Sequence, residues 1–173
     1  DKRVVHACTH MLADIPNGVT VCSSELVAGG ILQEGTALGG KDAAGLYHVV
    51  KTARLTEDAT ATTKAYKVLK VGAKAYKITS INTSETLYDT INVGTTLGEA
   101  ATAGAALVLA AAESADTTSA FKYVPKAMTG DSYDVEALNN HFVTAVTIGQ
   151  FKESVIPAVS DDIKAALPGI SLI

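Results

Sequence analysis

This sequence predicts a mainly β fold with one or two short helices, and three observations carry that expectation. Thr, Ala, Val and Gly dominate while only 18% of residues are charged, which suits pleated sheets and turns better than long solvated helices. Glycines at 29, 30, 35, 39, 40 and 45 punctuate the first third of the chain, the spacing of tight turns between short strands. Residues 155–173 read as a strand end, a proline turn, a capped amphipathic helix, a proline stop and a final apolar strand.

The elements follow in order. Lys2 to Met11 alternates, with His6, Cys8 and His10 on one face and Ala7, Thr9 and Met11 on the other, so it is extended. Residues 1–24 read as an extended N-terminal arm of a single domain spanning 1–173; the length allows two small domains at most. Pro16-Asn17-Gly18 is a turn, and Val19 to Cys22 a short strand. Tyr47 to Leu55 forms one strand rich in β-branched residues, and Glu57 to Thr63 a polar loop. Strands are expected at Ala65 to Leu69, Ala75 to Ile81 and Thr90 to Val93. Lys64 to Val68 and Lys74 to Ile78 match too briefly to be a repeat.

Ala100 to Ala115 has the alanine content of a helix, but Gly98, Thr102-Ala103-Gly104 and Leu107-Val108-Leu109 favour a hairpin. Phe121 to Pro125 reads as a strand, Gly130 to Ser132 as a turn, and Val135 to Asn140 allow a helical turn. Phe142 to Phe151 is the longest strand expected. Ser160 caps the last helix, with Asp161 and Asp162 at its positive end and Lys164 near its negative end. Leu167-Pro168-Gly169 stops it. The closing Ile-Ser-Leu-Ile would be costly in water, so it should pack into a sheet, a neighbouring subunit or a partner.

Composition excludes several function classes. The net charge is −4 and the lysines are scattered singly among acids, so no basic stripe for nucleic acid is expected. The most apolar run, Ala100 to Ala112, is shorter than the ~20 residues of a membrane span. No charged start followed by an apolar run marks a signal peptide.

Four residues could make a zinc site: His6, Cys8 and His10 on one strand face, with Cys22 on the next strand. Three ligands on one strand without a CxxC or HxxxH step is unusual zinc grammar, so a buried cysteine and two exposed or interfacial histidines is the preferred reading. A Cys8–Cys22 disulfide would fit paired strands, but free thiols are expected in a chain with no mark of secretion. Ser23 or Ser24 with His48 or His141 makes no nucleophile elbow. Asp131 to Glu136 does not follow a calcium loop, and no phosphate loop occurs. No enzyme or cofactor is expected.

Residues 155–173, preceded by Ala145 to Ser154, resemble the C-terminal end of head fiber and capsid decoration proteins of tailed bacteriophages. Leu26 to Gly39 with Gly45 to Ala53 resembles the Ala-Gly-x-Ile/Leu hairpin of such coat-attached proteins, and Ala65 to Val68 and Leu87 to Gly94 add to the likeness. The resemblance implies a structural virion protein, a homotrimer on the outer surface of an icosahedral capsid, touching the major capsid protein. It would stabilise the shell or display an adhesive surface. Val155, Ile156, Pro157, Ile163, Leu167, Pro168, Ile170, Leu172 and Ile173 would then lie at the trimer or capsid interface. Two other readings stay open: an adhesin for glycans on mucus or host cells, and a small zinc-dependent module using His6, Cys8, His10 and Cys22.

Overall fold

The computed structural model describes residues 6–56, 74–98, 100–114, 119–137 and 139–173. The loop expected at 57–63, the strand at 65–69 and the first half of the Lys64/Lys74 match lie outside them. The chain is mainly β, with one short helix near its C-terminus followed by a final strand. It divides into two compact units, Asp1–Val50 with Tyr123–Ile173, and Lys51–Lys122.

The first unit is organised by a six-stranded sheet. Its outer strand β1 (Cys8–Asp14) pairs antiparallel with β13 (Ala145–Phe151). β13 pairs with β10 (Pro125–Thr129), β10 with β4 (Ala37–Gly39), and β4 with β5 (His48–Val49). The middle strands are covered on both faces: Leu38, Ala127, Met128, Ala145, Val146 and Phe151 are fully buried. Burying a side chain of the size of Phe151 stabilises by roughly 1.5–3 kcal/mol. Pro125 opens β10, where a missing backbone donor does least harm.

Two small ladders flank this sheet: β2 (Val19–Val21) with β12 (His141–Val143), and β3 (Ile31–Leu32) with β11 (Tyr133–Asp134). Val19, Val21, Leu32, Leu38, Val49, Ala127, Val135, Val143 and Ala145 form one core cluster. In the stretch Leu26 to Gly39 with Gly45 to Ala53, β4 and β5 form an antiparallel hairpin, Leu38 to Val49 and Gly39 to His48, while β3 pairs with β11. Phe142 to Phe151 is not one strand. It breaks at Thr144, whose amide donates to the Tyr133 hydroxyl at 2.8 Å and whose carbonyl accepts from Gly130 at 2.9 Å. In the stretch 135–140 the described residues show a turn at Ala137, and the Glu136 amide donates to the His141 ring at 3.2 Å.

The final strand β14 (Ile170–Leu172) joins β13 in parallel. A parallel neighbour needs a crossover rather than a tight turn, and the residues after Phe151 provide it. A 3-10 turn (Glu153–Val155) leads to helix α1 (Asp161–Ala166). Ser160 caps α1 by accepting the Ile163 amide at 3.3 Å, and Ile163 is fully buried. Lys164 meets Glu153 at 2.9 Å on the surface, a pair worth at most about 1 kcal/mol.

The second unit holds two separate ladders, β6 (Thr52–Arg54) with β9 (Ala106–Val108) and β7 (Ile78–Asn82) with β8 (Thr90–Val93). Its core is Leu55, Tyr76, Val93, Leu97 and Leu107, and the Tyr76 hydroxyl donates to the Leu97 carbonyl. The expected strand at 47–55 is thus two, β5 and β6. Its partner changes at the break, with Val50 donating to Ala37 and Lys51 accepting from Leu109. Residues 100–115 are not a hairpin with themselves. The Thr102–Ala105 turn is present, but β9 beyond it pairs with β6. The strand expected at 121–125 starts only at Pro125, and Phe121 forms a single bridge to Ala110.

Candidate functional site

The nine C-terminal residues expected at an interface divide into two groups. Ile156, Ile163 and Leu167 are buried by the chain itself, so they have no surface to offer a partner. Val155, Pro157, Ile170 and Leu172 are half-buried, while Pro168 and Ile173 are exposed. Residues paired across a sheet share a face. Ile170 and Leu172 therefore lie with Gly149 and buried Phe151, and Ser171 lies with Gln150 on the opposite side.

Exposed apolar side chains occur on three neighbouring strands. Ile173, just past β14, is 60% exposed; Ile148 on β13 is 46% exposed; Met11 and Leu12 on β1 are 50% and 69% exposed. Met11 is paired with Gly149 and so shares the face of Phe151, whereas Ile148 lies on the opposite face. The apolarity of the last strand points to Ile173, while Met11 and Leu12 are hidden in the polar alternation of β1.

Two buried polar constellations escaped the sequence reading. The first is Glu34, only 4% exposed, whose carboxylate accepts the Ala7 amide at 2.9 Å and the Cys8 amide at 2.8 Å. The His6 ring lies 3.7 Å from the same carboxylate. Burial pushes the Cys8 thiol up from its ordinary range, and the negative charge of Glu34 adds to that shift. The signal was a Glu placed in the turn just before Gly35, whose φ is +77°.

The second constellation surrounds His48. Its Nε2 lies 3.0 Å from Asp42 Oδ2 and its Nδ1 lies 3.6 Å from Glu25 Oε2. Its ring stacks on Tyr123 with centroids 4.2 Å apart, and the Tyr123 hydroxyl donates to Glu25 Oε1 at 2.8 Å. Asp42 also accepts the amides of Ala44 at 2.8 Å and Leu46 at 2.9 Å, closing its own loop. The Leu46 amide, then the His48 hydrogen bond, hold the Asp42 carboxyl below its ordinary range. Both ring nitrogens face carboxylates, so the arrangement fastens the 42–48 loop rather than activating a serine. Ser24 meets the Cys22 thiol at 3.0 Å instead.

The structure does not assemble the four residues of the zinc reading. Bulges between Cys8 and His10 break the alternation that would align His6, Cys8 and His10, and β1 pairs with β13 while β2 pairs with β12. Among the described residues no group of three or more His, Cys, Asp or Glu side chains could hold a metal ion. Cys8 and Cys22 are both free thiols. No described helix is long and apolar enough to cross a membrane. Comparisons with protein-family models, curated proteins and solved structures return no match for this chain.

Proposed function

We propose that this chain is a structural, self-associating display protein. It follows the head fiber and decoration proteins of tailed phages in binding the outside of an icosahedral capsid as a homotrimer. The observation that carries the reading is the exposed apolar side chains of β1, β13 and the chain end: Met11, Leu12, Ile148 and Ile173 stand in water in the lone chain. Interfaces need roughly 1,000 Å² or more removed from water to be specific, so copies of the chain would have to cover more than one of these side chains. The seat on the major capsid protein is then strengthened by repetition, because three linked weak contacts act at high effective concentration.

The β7–β8 hairpin supplies a surface for display. Leu87 in its connection is 89% exposed, and Tyr88 and Ile81 also face solvent. An adhesive role for mucus or host glycans belongs to that hairpin and is secondary to the structural one.

The test is light scattering on the purified chain and on a variant carrying Ile148→Lys and Ile173→Lys. The wild type is expected as a trimer that co-sediments with emptied capsids, and the variant as a folded monomer that does not. A wild type that stays monomeric at all concentrations and ignores capsids would remove the reading.

A further inference from the structure

His48 sits between two acids that a neutral ring cannot both satisfy. Its side chain is 10% exposed and that of Glu25 is 9% exposed, so water offers neither much help. Nε2 lies 3.0 Å from Asp42 Oδ2, a hydrogen bond, and Nδ1 lies 3.6 Å from Glu25 Oε2. A neutral imidazole has one N–H and one lone pair. With the N–H on Nε2, the lone pair of Nδ1 faces the Glu25 oxygen inside the protein, where the low dielectric strengthens the repulsion. With both nitrogens protonated, each carboxylate meets a donor of opposite charge.

The two acids do not depend equally on the ring. Asp42 also accepts the amides of Ala44 and Leu46 from its own loop, and those bonds are indifferent to the charge of His48. Glu25 instead ends the 3-10 turn Ser23–Glu25, which the Leu26 amide closes on the Ser23 carbonyl at 3.0 Å. Its other oxygen takes the Tyr123 hydroxyl at 2.8 Å, and the Tyr123 ring stacks on the imidazole. The ionisable groups facing His48 are therefore Asp42 from the 42–46 loop, Glu25 from the turn, and Tyr123 from the chain that leads into β10.

We infer that His48 is a proton-operated clamp: with two ring protons it holds the 23–25 turn and Tyr123 against β5, and loss of the Nδ1 proton releases them while the Asp42 bond remains. Histidine is the side chain whose charge changes between about pH 5 and 8. The clamp is shut in mild acid, when Nδ1 donates towards Glu25, and open in mild alkali, when its lone pair faces that carboxylate. His48 lies on β5, shortly before the chain leaves the first unit, and Tyr123 is the first residue of that unit on the return. The clamp thus joins the chain just before the 51–122 segment to the chain just after it. It needs no capsid.

Nitrogen NMR of the full-length, isotopically labelled chain counts the protons on each His48 ring nitrogen. Hydrogen exchange reads the turn through two amides, Leu26 on Ser23 and Cys22 on the Tyr47 carbonyl. Both are taken relative to the amides of β13, which cancels the ordinary acceleration by base. From about pH 5 to pH 8, the ring is expected to lose the Nδ1 proton and keep the one on Nε2. Relative exchange at Cys22 and Leu26 should rise several-fold over the same range, while Ala44 and Leu46 do not change. In Glu25→Gln the rise should vanish, because a carboxamide donates to the neutral ring and still accepts from Tyr123. A ring whose protonation stays constant or changes at Nε2, turn amides that keep pace with β13, or an undiminished rise in Glu25→Gln would each overturn the clamp. Should that variant fail to fold, the two readings on the unaltered chain decide the matter.

Discussion

In the first unit one strand, β13, touches β1, β10 and β14, and its neighbours carry the ladder on to β4 and β5. The second unit holds its described chain with two isolated ladders and a core of five residues. A two-stranded ladder alone is marginal in water, so the second unit depends on Leu97 and Leu107, which are almost fully buried. Among the described residues, the ladders of the first unit meet at a shared strand and those of the second do not. The contrast shows that similar short strands give different robustness according to whether they share partners.

The largest test of this contrast is Phe151→Ala, which empties the middle of the pooled core. It should cost about 3–5 kcal/mol, a large part of an ordinary domain's stability, read as a fall in the urea midpoint. A cost below ~1 kcal/mol would deny β13 its central position. Leu107→Ala should cost about 2–5 kcal/mol and act locally. Hydrogen exchange should quicken in β6 and β9 while β10 and β13 amides stay protected; quickening throughout would merge the two units into one cooperative block.

Smaller effects sharpen the picture at the edges of the first unit. Ser160→Ala removes the acceptor for the Ile163 amide and should cost about 1 kcal/mol, visible as a lower thermal midpoint. Unchanged stability would mean that burial of Ile163 alone fixes the crossover. The smallest effect concerns the 42–48 loop. The Asp42 carboxyl is held below its ordinary range by Leu46 and His48. The stability it lends is complete above that ordinary range and disappears as pH falls through the lowered value. Amide exchange at Ala44 and Leu46 should therefore accelerate only in acid, and Asp42→Asn should make it fast at neutral pH. Exchange indifferent to both changes would remove Asp42 as the loop's fastener.

The last helix and strand were readable because their signals are local: Ser160 before two aspartates, a proline stop, then an apolar run. Thr90 to Val93 and the turn at Pro16 to Gly18 were readable for the same reason. Partners were not. Nothing local to Val50 and Lys51 reveals that the backbone bonds change from Ala37 to Leu109, nor to Thr144 that Tyr133 will take its amide. In the stretch Leu26 to Gly39 with Gly45 to Ala53, β4 and β5 form a hairpin, but nothing local shows that β3 is taken by the distant β11. Apolarity alone does not separate a residue kept for the chain's own interior, such as Ile163, from one left exposed, such as Ile173. Glu34 was hidden because a buried carboxylate looks like any surface acid until its amide donors, 26 or more residues away, are in place.

The chain leaves the first unit after β5 and returns to it at β10, and both of those strands are bonded to β4, at Gly39 to His48 on one side and Pro125 on the other. Exit and re-entry are thus two strand spacings apart, roughly 10 Å. A gap of that size is spanned by a handful of residues, so the 51–122 segment occupies a cassette position. A segment whose ends lie that close can be replaced by another with matching end spacing without moving the strands at its two ends.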